Sequence, residues 1–469
     1  MQILGYQLAP LWTDWLVYLL VAAGLGFYLY ARRHEHLARP WRQVARRPLA
    51  VSAAMVLLVY IVIGLADSIH LQEQRDIANS DAIVFSSEKI SVLDIVLTTL
   101  RVQEEKTYSA PFAIRSYAKE TVELPEGGIV REFPRLVYGG THLDFASERR
   151  ADITAKTLRA LIESMLIFVL VIVMLSYFLA KNNSHAFGRQ FVLLKRGETD
   201  IPWRSLLLTG FIITVVSLIL IRLSPYYHVL GTDKVGTDVL YLSLKSIRTG
   251  LVIGSLTTLF VLPFALSLGI MAGYFRGRVD DLIQYVYTTL SSIPGVLLIA
   301  ASVLMIDVYI QNNADQFATI ADRADARLLF LCLILGITGW VGLCRLLRGE
   351  ALKLREIDYI QASQAFGVSH ARILSRHILP NVMHIVLITL VLDFSGLVLA
   401  EAVLSYIGVG VDPSMISWGN MINGARLEMA REPVVWWSLV AAFIFMFLLV
   451  LCANLFSDAV RDAFDPRAC

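Results

Sequence analysis

The chain has 469 residues, of which 56% are hydrophobic and 17% are charged, and its mean hydropathy is +0.62. This composition excludes an ordinary soluble domain and is typical of a protein that crosses a membrane several times. The formal net charge of +2 is too small and dispersed for a phosphate-binding stripe, so nucleic acid is not an expected partner. Cys332, Cys344 and Cys452 lie in apolar runs, and their spacing predicts neither a zinc site nor a disulfide framework.

Nine runs of roughly 20 mostly apolar residues predict membrane-spanning helices. The first run has no basic region before it and no small-residue cleavage site after it, so we expect a retained anchor and not a signal peptide. We therefore predict an all-α polytopic membrane protein with about nine transmembrane helices. In chain order, the runs are 11–30, 49–66, 158–179, 206–223, 251–274, 283–306, 328–347, 382–408 and 434–456.

Positive charges in the connecting segments predict how the spans are oriented. Because cytoplasmic loops are enriched in Lys and Arg, we expect the basic loops at 32–47 and 181–204 to be cytoplasmic. Alternation then predicts an outside N-terminus and a cytoplasmic position for 276–281, for 358–381 and for the C-terminal tail. The basic residues on which this orientation rests are Arg32, Arg33, Arg39, Arg42, Arg46, Arg47, Lys181, Arg189, Lys195, Arg196 and Arg204.

The connection at 67–157 is long enough for a small extracytoplasmic module. Its LPEGG phrase at 124–128 predicts a turn between short extended pieces such as 128–133. Two interpretations stay open: a lid or docking surface for an extracytoplasmic partner, and a structural insertion with no direct role. YGGTHLDFASERRADI at 138–153 faintly echoes HVLGTDKVGTDVL at 228–240, either as a decayed repeat or by chance.

Residues 358–381 (DYIQASQAFGVSHARILSRHILPN) are polar and basic, yet they lie between two long apolar runs. The pattern predicts two short helices joined at Gly367, which tolerates the left-handed conformation that ends a helix. The second helix carries apolar residues before Pro380, with Arg372 and Arg376 beside them. Such a loop in a membrane protein predicts docking of a soluble partner. The alternative is an ordinary solvated hairpin.

Polar and small residues inside the predicted spans indicate further candidate sites. Asp393 is costly at membrane depth unless it faces a polar cavity or a partner. It is either a pathway carboxylate that meets a substrate's ammonium group, or a structurally paired or protonated acid. Glu401 falls nearer the outer end of its span, where we expect it to brace an outer loop. Glycines four residues apart let helices approach closely, in a moving or a static interface: Gly250, Gly254, Gly269 and Gly273.

The sequence predicts neither a metal site nor a catalytic site. His370, His377 and His384 recur every seven residues. However, Pro380 is expected to interrupt the helix, and no carboxylate or cysteine completes a ligand set. No arrangement of a nucleophile with a base, and no paired carboxylates, stands out. The G-x-x-x-x-G-K-[ST] phosphate loop does not occur, so we expect no ATP, Mg or other cofactor to bind this chain.

Several phrases in the C-terminal half together resemble one family. HVLGTDKVGTDVL at 228–240 resembles the H-P-L-G-T-D-x-x-G-R-D-V signature of dipeptide/oligopeptide (C-type) permeases of ABC importers, with Val229 in place of proline and Thr237 in place of arginine. A Yej-type peptide/microcin permease is the nearest resemblance. Further phrases follow in the family's order and spacing: LAEAVLSYIGVGVDP at 399–413, SWGNMI at 417–422 and NLFSDAVRDAFDPR at 454–467.

Within the loop at 358–381, Gln361 stands where the family's E-A-A phrase has its glutamate. This departure puts in doubt a salt bridge from that position to an ATPase. The resemblance implies that the loop couples the permease to an ATPase. The residues to which it assigns this coupling are Gln361, Ala362, Ser363, Gly367, Arg372, Arg376, Ile378, Leu379 and Pro380.

The resemblance also implies a domain organisation. A permease core occupies 226–469, with a cytoplasmic coupling loop at 349–381. Before it we predict N-terminal transmembrane helices with a basic cytoplasmic loop at 1–66, an extracytoplasmic insertion at 67–157 and additional transmembrane helices at 158–225. The segment that begins at Arg46 looks like the family's first span, so the span before it and the two spans inside 158–225 are additions.

By this resemblance, the chain is a permease subunit in a bacterial inner membrane that imports peptides or peptide-like compounds and is not itself an enzyme. The implied partners are a homologous second permease, two ABC ATPase subunits, an extracytoplasmic substrate-binding protein and the lipid bilayer. One alternative keeps the transporter class with another cargo, nickel or a glycoside. The other alternative is a non-transport receptor or scaffold whose module at 67–157 senses a ligand.

Overall fold

A computed structural model describes residues 2–3, 6–75, 84–123, 129–182, 187–197, 199, 201–317 and 319–464. The turn predicted at 124–128 lies outside these residues. Most described residues are helical, which confirms the predicted all-α class. The helices are α1 Trp12–Arg33, α2 Glu35–Val44, α3 Pro48–Asp67, α4 Val92–Val96, α5 Thr98–Val102, α6 Arg149–Asn182, α7 Phe187–Arg196, α8 Trp203–Leu223, α9 Val239–Phe275, α10 Gly277–Ser292, α11 Gly295–Asn312, α12 Ile320–Gly339, α13 Val341–Arg355, α14 Asp358–Ala365, α15 His370–Ile373, α16 Leu379–Ile407, α17 Trp418–Glu428 and α18 Trp437–Phe464.

Short strands accompany the helices. Two single turns of 3₁₀-helix, Ala146–Glu148 and Ala314–Gln316, and a π-helical turn, Leu374–Ile378, complete the regular structure of the described residues. The strands are β1 Gln2–Ile3, β2 Tyr6–Leu8, β3 His70–Arg75, β4 Val84–Ser91, β5 Glu120–Glu123 and β6 Ile129–Glu132.

Within the described residues, nine helical segments are long and apolar enough to cross a membrane, as the sequence predicts. The bounds of the sixth predicted span, 283–306, are wrong. There α10 ends at Ser292, and a separate candidate span, Gly295–Asn312, follows. Pro294 is the physical reason, because proline disfavours a helical conformation in the residue before it. Ile293 is accordingly extended, with φ −89° and ψ 130°.

Helix α9 lies at the centre of the helical core and packs against α3, α12, α13 and α16. Its glycines permit the closest of these approaches. A Cβ at Gly273 would lie 2.6 Å from the Arg348 carbonyl oxygen, and one at Gly254 would lie 2.4 Å from the Phe394 ring. These distances are shorter than real Cβ contacts, so the predicted glycine pairs do serve close helix packing.

A buried charged cluster ties the additional helix α1 to this core. Arg248 of α9 donates to Asp14 of α1 at 2.7 Å and lies 3.6 Å from Asp325 of α12. His70 of β3 hydrogen bonds with Asp14 at 2.8 Å. Thr13 Oγ1 donates to Asp325 and accepts from Arg248. Buried charges of this kind persist only where they are paired and hydrogen-bonded, so α1 has a fixed position.

Two strands of the predicted insertion and two N-terminal strands form one four-stranded antiparallel sheet in the order β1–β2–β3–β4. Tyr6 pairs with Glu73, and His70 pairs with Ser91. The N-terminal residues thus share a sheet with the insertion, which the boundary drawn at residues 66 and 67 does not anticipate. Strands β5 and β6 form a separate antiparallel pair, one on each side of residues 124–128.

A buried histidine joins the insertion to the start of α9. His228 Nδ1 lies 2.8 Å from Asp238, and its Nε2 lies 3.6 Å from Glu105. Glu105 in turn accepts hydrogen bonds from the backbone N–H groups of Val137 and Tyr138. Burial opposes the charged imidazolium, but the hydrogen bond with Asp238 and the negative charges of Asp238 and Glu105 outweigh it and raise the pKa of His228 to about 9.

A His–Asp pair with the same spacing occurs where the sequence shows its faint echo, although His142 uses Nε2 and His228 uses Nδ1. His142 lies 2.9 Å from Asp152, and in both pairs the acid follows the histidine by ten residues at the start of a long helix. Asp238 immediately precedes α9, whereas Asp152 lies in the first turn of α6. This shared pairing favours the decayed-repeat interpretation over chance.

Candidate functional site

The predicted hairpin at 358–381 consists of α14, a left-handed turn, α15 and the π-helical turn that leads into α16. Gly367 has φ +71°, the conformation for which the sequence selects glycine. Its N–H donates to the Gln364 carbonyl at 3.0 Å, and the N–H of Val368 donates to the Ser363 carbonyl at 3.1 Å. This pair of bonds is a Schellman cap, which ends α14 and reverses the chain.

Buried apolar side chains hold the hairpin against α9 and α13. Ile360, Ile373 and Ile378 are each 0% exposed and belong to one hydrophobic cluster with Tyr274 and Leu347. Ile378 therefore contributes to any coupling by fixing the hairpin to the spans, since it has no surface on which a partner could bind. The sequence pattern alone did not separate this inward face from the outward one.

Tyr274, at the end of α9, is the polar anchor of the hairpin. Its hydroxyl hydrogen bonds with His370 Nδ1 at 2.7 Å and accepts from Gln364 Nε2 at 3.2 Å. Arg355 donates to the Tyr274 carbonyl at 2.7 Å. One residue thus links the last turn of α9 to both short helices. Tyr274 was not among the predicted site residues, because its position at the end of a predicted span does not distinguish it from an interfacial aromatic.

The opposite face of the hairpin is open. Phe366, next to Gly367, is 87% exposed, which is unusual for a large apolar side chain outside the membrane-spanning helices. The predicted residues Gln361, Ala362, Arg372 and Arg376 are also exposed, and in the described part of the chain neither arginine has a hydrogen-bond or ionic partner. An aromatic tip with flanking cations is the composition of a protein-binding patch. Phe366 was also not among the predicted site residues, although an aromatic residue before a turn glycine is a readable signal.

The remaining predicted coupling residues make local contacts. Ser363 Oγ donates to the Tyr359 carbonyl at 2.7 Å, and Leu379 is half-buried. The expectation that Pro380 interrupts the helix is wrong. Pro380 lies in the first turn of α16, where its missing N–H leaves no bond unmade, and the preceding π-helical turn carries the chain into the span.

A salt bridge supports the base of the hairpin. Arg348 of α13 binds Asp280 of α10 through two hydrogen bonds, of 2.6 and 2.7 Å. The hydrogen bonds from Arg348 lower the pKa of Asp280, and burial raises it by less, so this pKa lies below its ordinary value. Arg276 also pairs with Glu356 just before α14. The chain on both sides of the hairpin is therefore held to neighbouring helices.

Asp393 lies in the middle of α16 and lines a cleft of about 430 Å³. Thr258, Thr389 and the two glycines Gly339 and Gly342 also line this cleft. The Asp393 side chain is exposed, and no described residue bonds to it or pairs with it. Within the described part of the chain, the pairing with another span that was one alternative interpretation is therefore absent, and the unpaired carboxyl group of Asp393 faces the cleft.

Glu401 lies further along α16 than Asp393 and is buried. It accepts hydrogen bonds from Ser405 Oγ at 2.8 Å and from Ser417 Oγ at 3.0 Å. Ser417 is the N-cap of α17, in the loop after α16. The contacts agree with a residue that braces this loop, the role that remains predicted for Glu401.

The three histidines spaced by seven residues do not converge. His370 hydrogen bonds with Tyr274, whereas His377 packs against Tyr359 with their ring centroids 5.9 Å apart. Over the described ranges, no group of three His, Cys, Asp or Glu side chains has a geometry that could hold a metal ion.

Comparisons with known proteins identify a family for the C-terminal half of this chain. The family described as "binding-protein-dependent transport system inner membrane component" matches residues 265–468, which include the hairpin, Asp393 and Glu401. The oligopeptide transport system permease protein OppC of Mycobacterium bovis is 33% identical over 241 residues, which are 51% of this chain and 76% of the relative. OppC of Haemophilus influenzae is 30% identical over 51% of this chain and 71% of the relative.

The dipeptide transport system permease protein DppC of Bacillus subtilis is 27% identical over 51% of this chain and 69% of the relative. These relatives bear out the resemblance drawn from the sequence phrases. The chain therefore belongs to the family of multi-pass inner membrane components of binding-protein-dependent transport systems.

Proposed function

We propose that this chain is the permease subunit of an ATP-driven importer that moves peptides or peptide-like compounds into the cytoplasm. The relatives named as oligopeptide and dipeptide permeases support the cargo class. The open carboxylate of Asp393 supports it independently, because a free peptide carries an ammonium group that such a carboxylate can pair with. A Yej-type peptide/microcin system remains the nearest predicted type.

The hairpin is the part of the chain that couples transport to ATP hydrolysis in this proposal. The single observation that carries the proposal is its two-sided construction. Ile360, Ile373 and Ile378 fix one face to the spans, while Phe366 and the two arginines, Arg372 and Arg376, leave the other face open. A partner that moves against the open face displaces α9, α13 and α16 together as a rigid body.

The proposed partners follow from this mechanism. A homologous second permease completes the pathway, two ABC ATPase subunits bind ATP and Mg, and an extracytoplasmic binding protein delivers the cargo. The proposal keeps the orientation predicted from the basic loops, in which the hairpin and the C-terminal tail are cytoplasmic and the sheet of β1–β4 is outside. The basic loops at 32–47 and 181–204 support the orientation. The domain boundaries at 66, 157 and 225 belong to the same proposal.

Asp393 acts in this proposal as a pathway residue. The cleft that it lines opens between α9, α13 and α16, the helices that the hairpin holds. Movement of the hairpin therefore changes the surroundings of the carboxylate directly. Thr258 and Thr389 give the cleft further hydrogen-bonding groups for a peptide backbone.

Reconstitution tests the proposal. The chain is co-expressed with ABC ATPase, second-permease and binding-protein subunits from the same organism, purified and placed in liposomes. We expect the ATPases to co-purify and ATP hydrolysis to rise when the binding protein and a peptide mixture are added. Purification without any ATPase, or hydrolysis that no peptide stimulates, would contradict the proposal.

A further inference from the structure

The first two helices form a cleft at the end of the first candidate span. Helix α1 ends at Arg33, and His34 is extended with φ −116° and ψ 112°, so α2 starts in a new direction. Between the two helices lies a cleft of about 630 Å³. The proposed function leaves this cleft unused.

The cleft has an apolar wall and a cationic rim. Phe27 and Tyr28 of α1 and Trp41 of α2 form the wall, and Arg32 and Arg42 lie on the two sides. Both arginines are exposed, and neither has an ionic or hydrogen-bond partner among the described residues. Arginine is the side chain that best matches the geometry of a phosphate group, so two unpaired arginines favour an anionic phosphate-bearing ligand.

The position of the cleft selects the kind of ligand. The apolar part of α1 is exposed along most of its length, as expected for a helix in contact with lipid, and Arg32 ends that stretch. The cleft therefore lies where a spanning helix meets the membrane surface, at the level of lipid headgroups. A molecule with a phosphate at one end and a hydrocarbon chain at the other fits both the arginines and the aromatic wall.

We propose that the cleft between α1 and α2 binds one anionic phospholipid, whose phosphate pairs with Arg32 and Arg42 and whose acyl chain lies along Phe27 and Tyr28. This binding fixes α2 against the end of α18. Trp41 lines the cleft and also contacts the rings of Phe456 and Phe464, with centroid separations of 6.4 and 5.6 Å.

Further contacts show that α2 packs against α18 without any lipid. Val44 of α2 is buried in a cluster with Ala459 and Val460, and Arg47 binds Asp462 at 2.6 Å. The lipid therefore adds to an existing interface between the additional N-terminal helices and the last span. The site involves neither the hairpin nor the cargo, so a test of lipid binding does not depend on whether the proposed function is correct.

The test measures lipid retained by the purified full-length chain. The protein is delipidated in detergent and titrated with phosphatidylglycerol, with phosphatidylcholine of the same chains, or with inorganic phosphate, and bound lipid is counted by native mass spectrometry. The variant R32Q/R42Q removes the two cleft arginines. The control R33Q/R39Q removes the same charge from the same two helices. It is suitable because neither residue lines the cleft, and Arg39 pairs with Glu35 at 3.5 Å.

We expect selective binding of phosphatidylglycerol that R32Q/R42Q weakens by about 30-fold, since each arginine contributes about fivefold toward an anionic lipid. R33Q/R39Q should bind as the unmodified protein does. Equal binding of phosphatidylcholine, equal losses in the two variants, or displacement of the lipid by inorganic phosphate at the same concentration would each overturn the proposal. Circular dichroism of both variants identifies any loss caused by misfolding, and F27S then tests the apolar wall with the charges intact.

Discussion

Replacing Gly367 tests whether the shape of the hairpin matters for transport. The residue has φ +71°, and nothing lies within 4 Å of a Cβ built on it. A side chain at this position therefore meets no neighbour, and the whole cost of a substitution is backbone strain. We compare Gly367→Val, which resists the left-handed conformation strongly, with Gly367→Asn, which adopts it readily.

The magnitude follows from the conformation. A residue with a Cβ pays about 1–2 kcal/mol in the left-handed region, and asparagine pays less because its side chain bonds to the local backbone. The Schellman cap between Gly367 and Gln364 opens to relieve this strain, whereas the buried face of the hairpin stays attached. A cost of 1–2 kcal/mol lowers the ratio of correctly shaped to opened hairpins by a factor of about 5–30, and uptake falls by the same factor where the opened form predominates.

The assay is ATP-dependent uptake of a radiolabelled peptide mixture into proteoliposomes that contain the assembled transporter. Gly367→Val should lower uptake by about 5–30-fold, and Gly367→Asn by less than about threefold. Co-purified ATPase is measured in parallel, because loss of binding and loss of transmission both reduce uptake. Full uptake with Gly367→Val in a normally assembled complex would refute the reasoning, as would equal losses for valine and asparagine.

Three further predictions address the anchor, the pathway and the insertion. Tyr274→Phe removes the hydrogen bonds to His370 and Gln364, which lowers the local stability of the hairpin by about 1–2 kcal/mol. Hydrogen exchange of the backbone amides at 364–372 should therefore quicken by about 5–30-fold. Unchanged exchange would contradict the anchoring role. Asp393→Asn should lower uptake of peptides with a free amino terminus by about tenfold and spare N-acetylated peptides, because only the former carry the ammonium group; equal effects on both would exclude the pairing. His228 has a folded pKa of about 9 against an ordinary 6.5, so the stability that its ion pairs give is complete below pH 6.5 and is lost as the pH rises through 9. Thermal unfolding should therefore show a fall between pH 7 and 10 that His228→Gln largely abolishes, and an unchanged pH profile in that variant would exclude His228 as its source.

The sequence was most informative where local chemistry decides the structure. The spans were predicted from apolar runs, since a lipid-facing helix requires such a run whatever its neighbours are. The turn at Gly367 was predicted because the left-handed conformation restricts the residue type there. The exception is informative: the apolar run at 283–306 contains Pro294, and its local break divided an apparent span into α10 and α11.

The sequence was least informative where two distant segments meet. It gave no sign that Tyr6 pairs with Glu73, or that Asp14 binds Arg248, because these partners are separated by 67 or more residues. It also left open whether Asp393 is paired. Charge compensation inside a membrane depends on which helix faces which, and apolar runs carry no record of that choice.

The sequence by itself determined that this chain crosses a membrane, where its helices lie, and which family it belongs to, because these properties follow from local hydropathy and short phrases. Only the tertiary structure decided which face of the hairpin is anchored and which is open. Helical periodicity placed Ile378 among the coupling residues without showing that α9 and α13 bury it. Burial is a property of the neighbours that a residue meets in the folded chain, so it could be known only once the helices were packed.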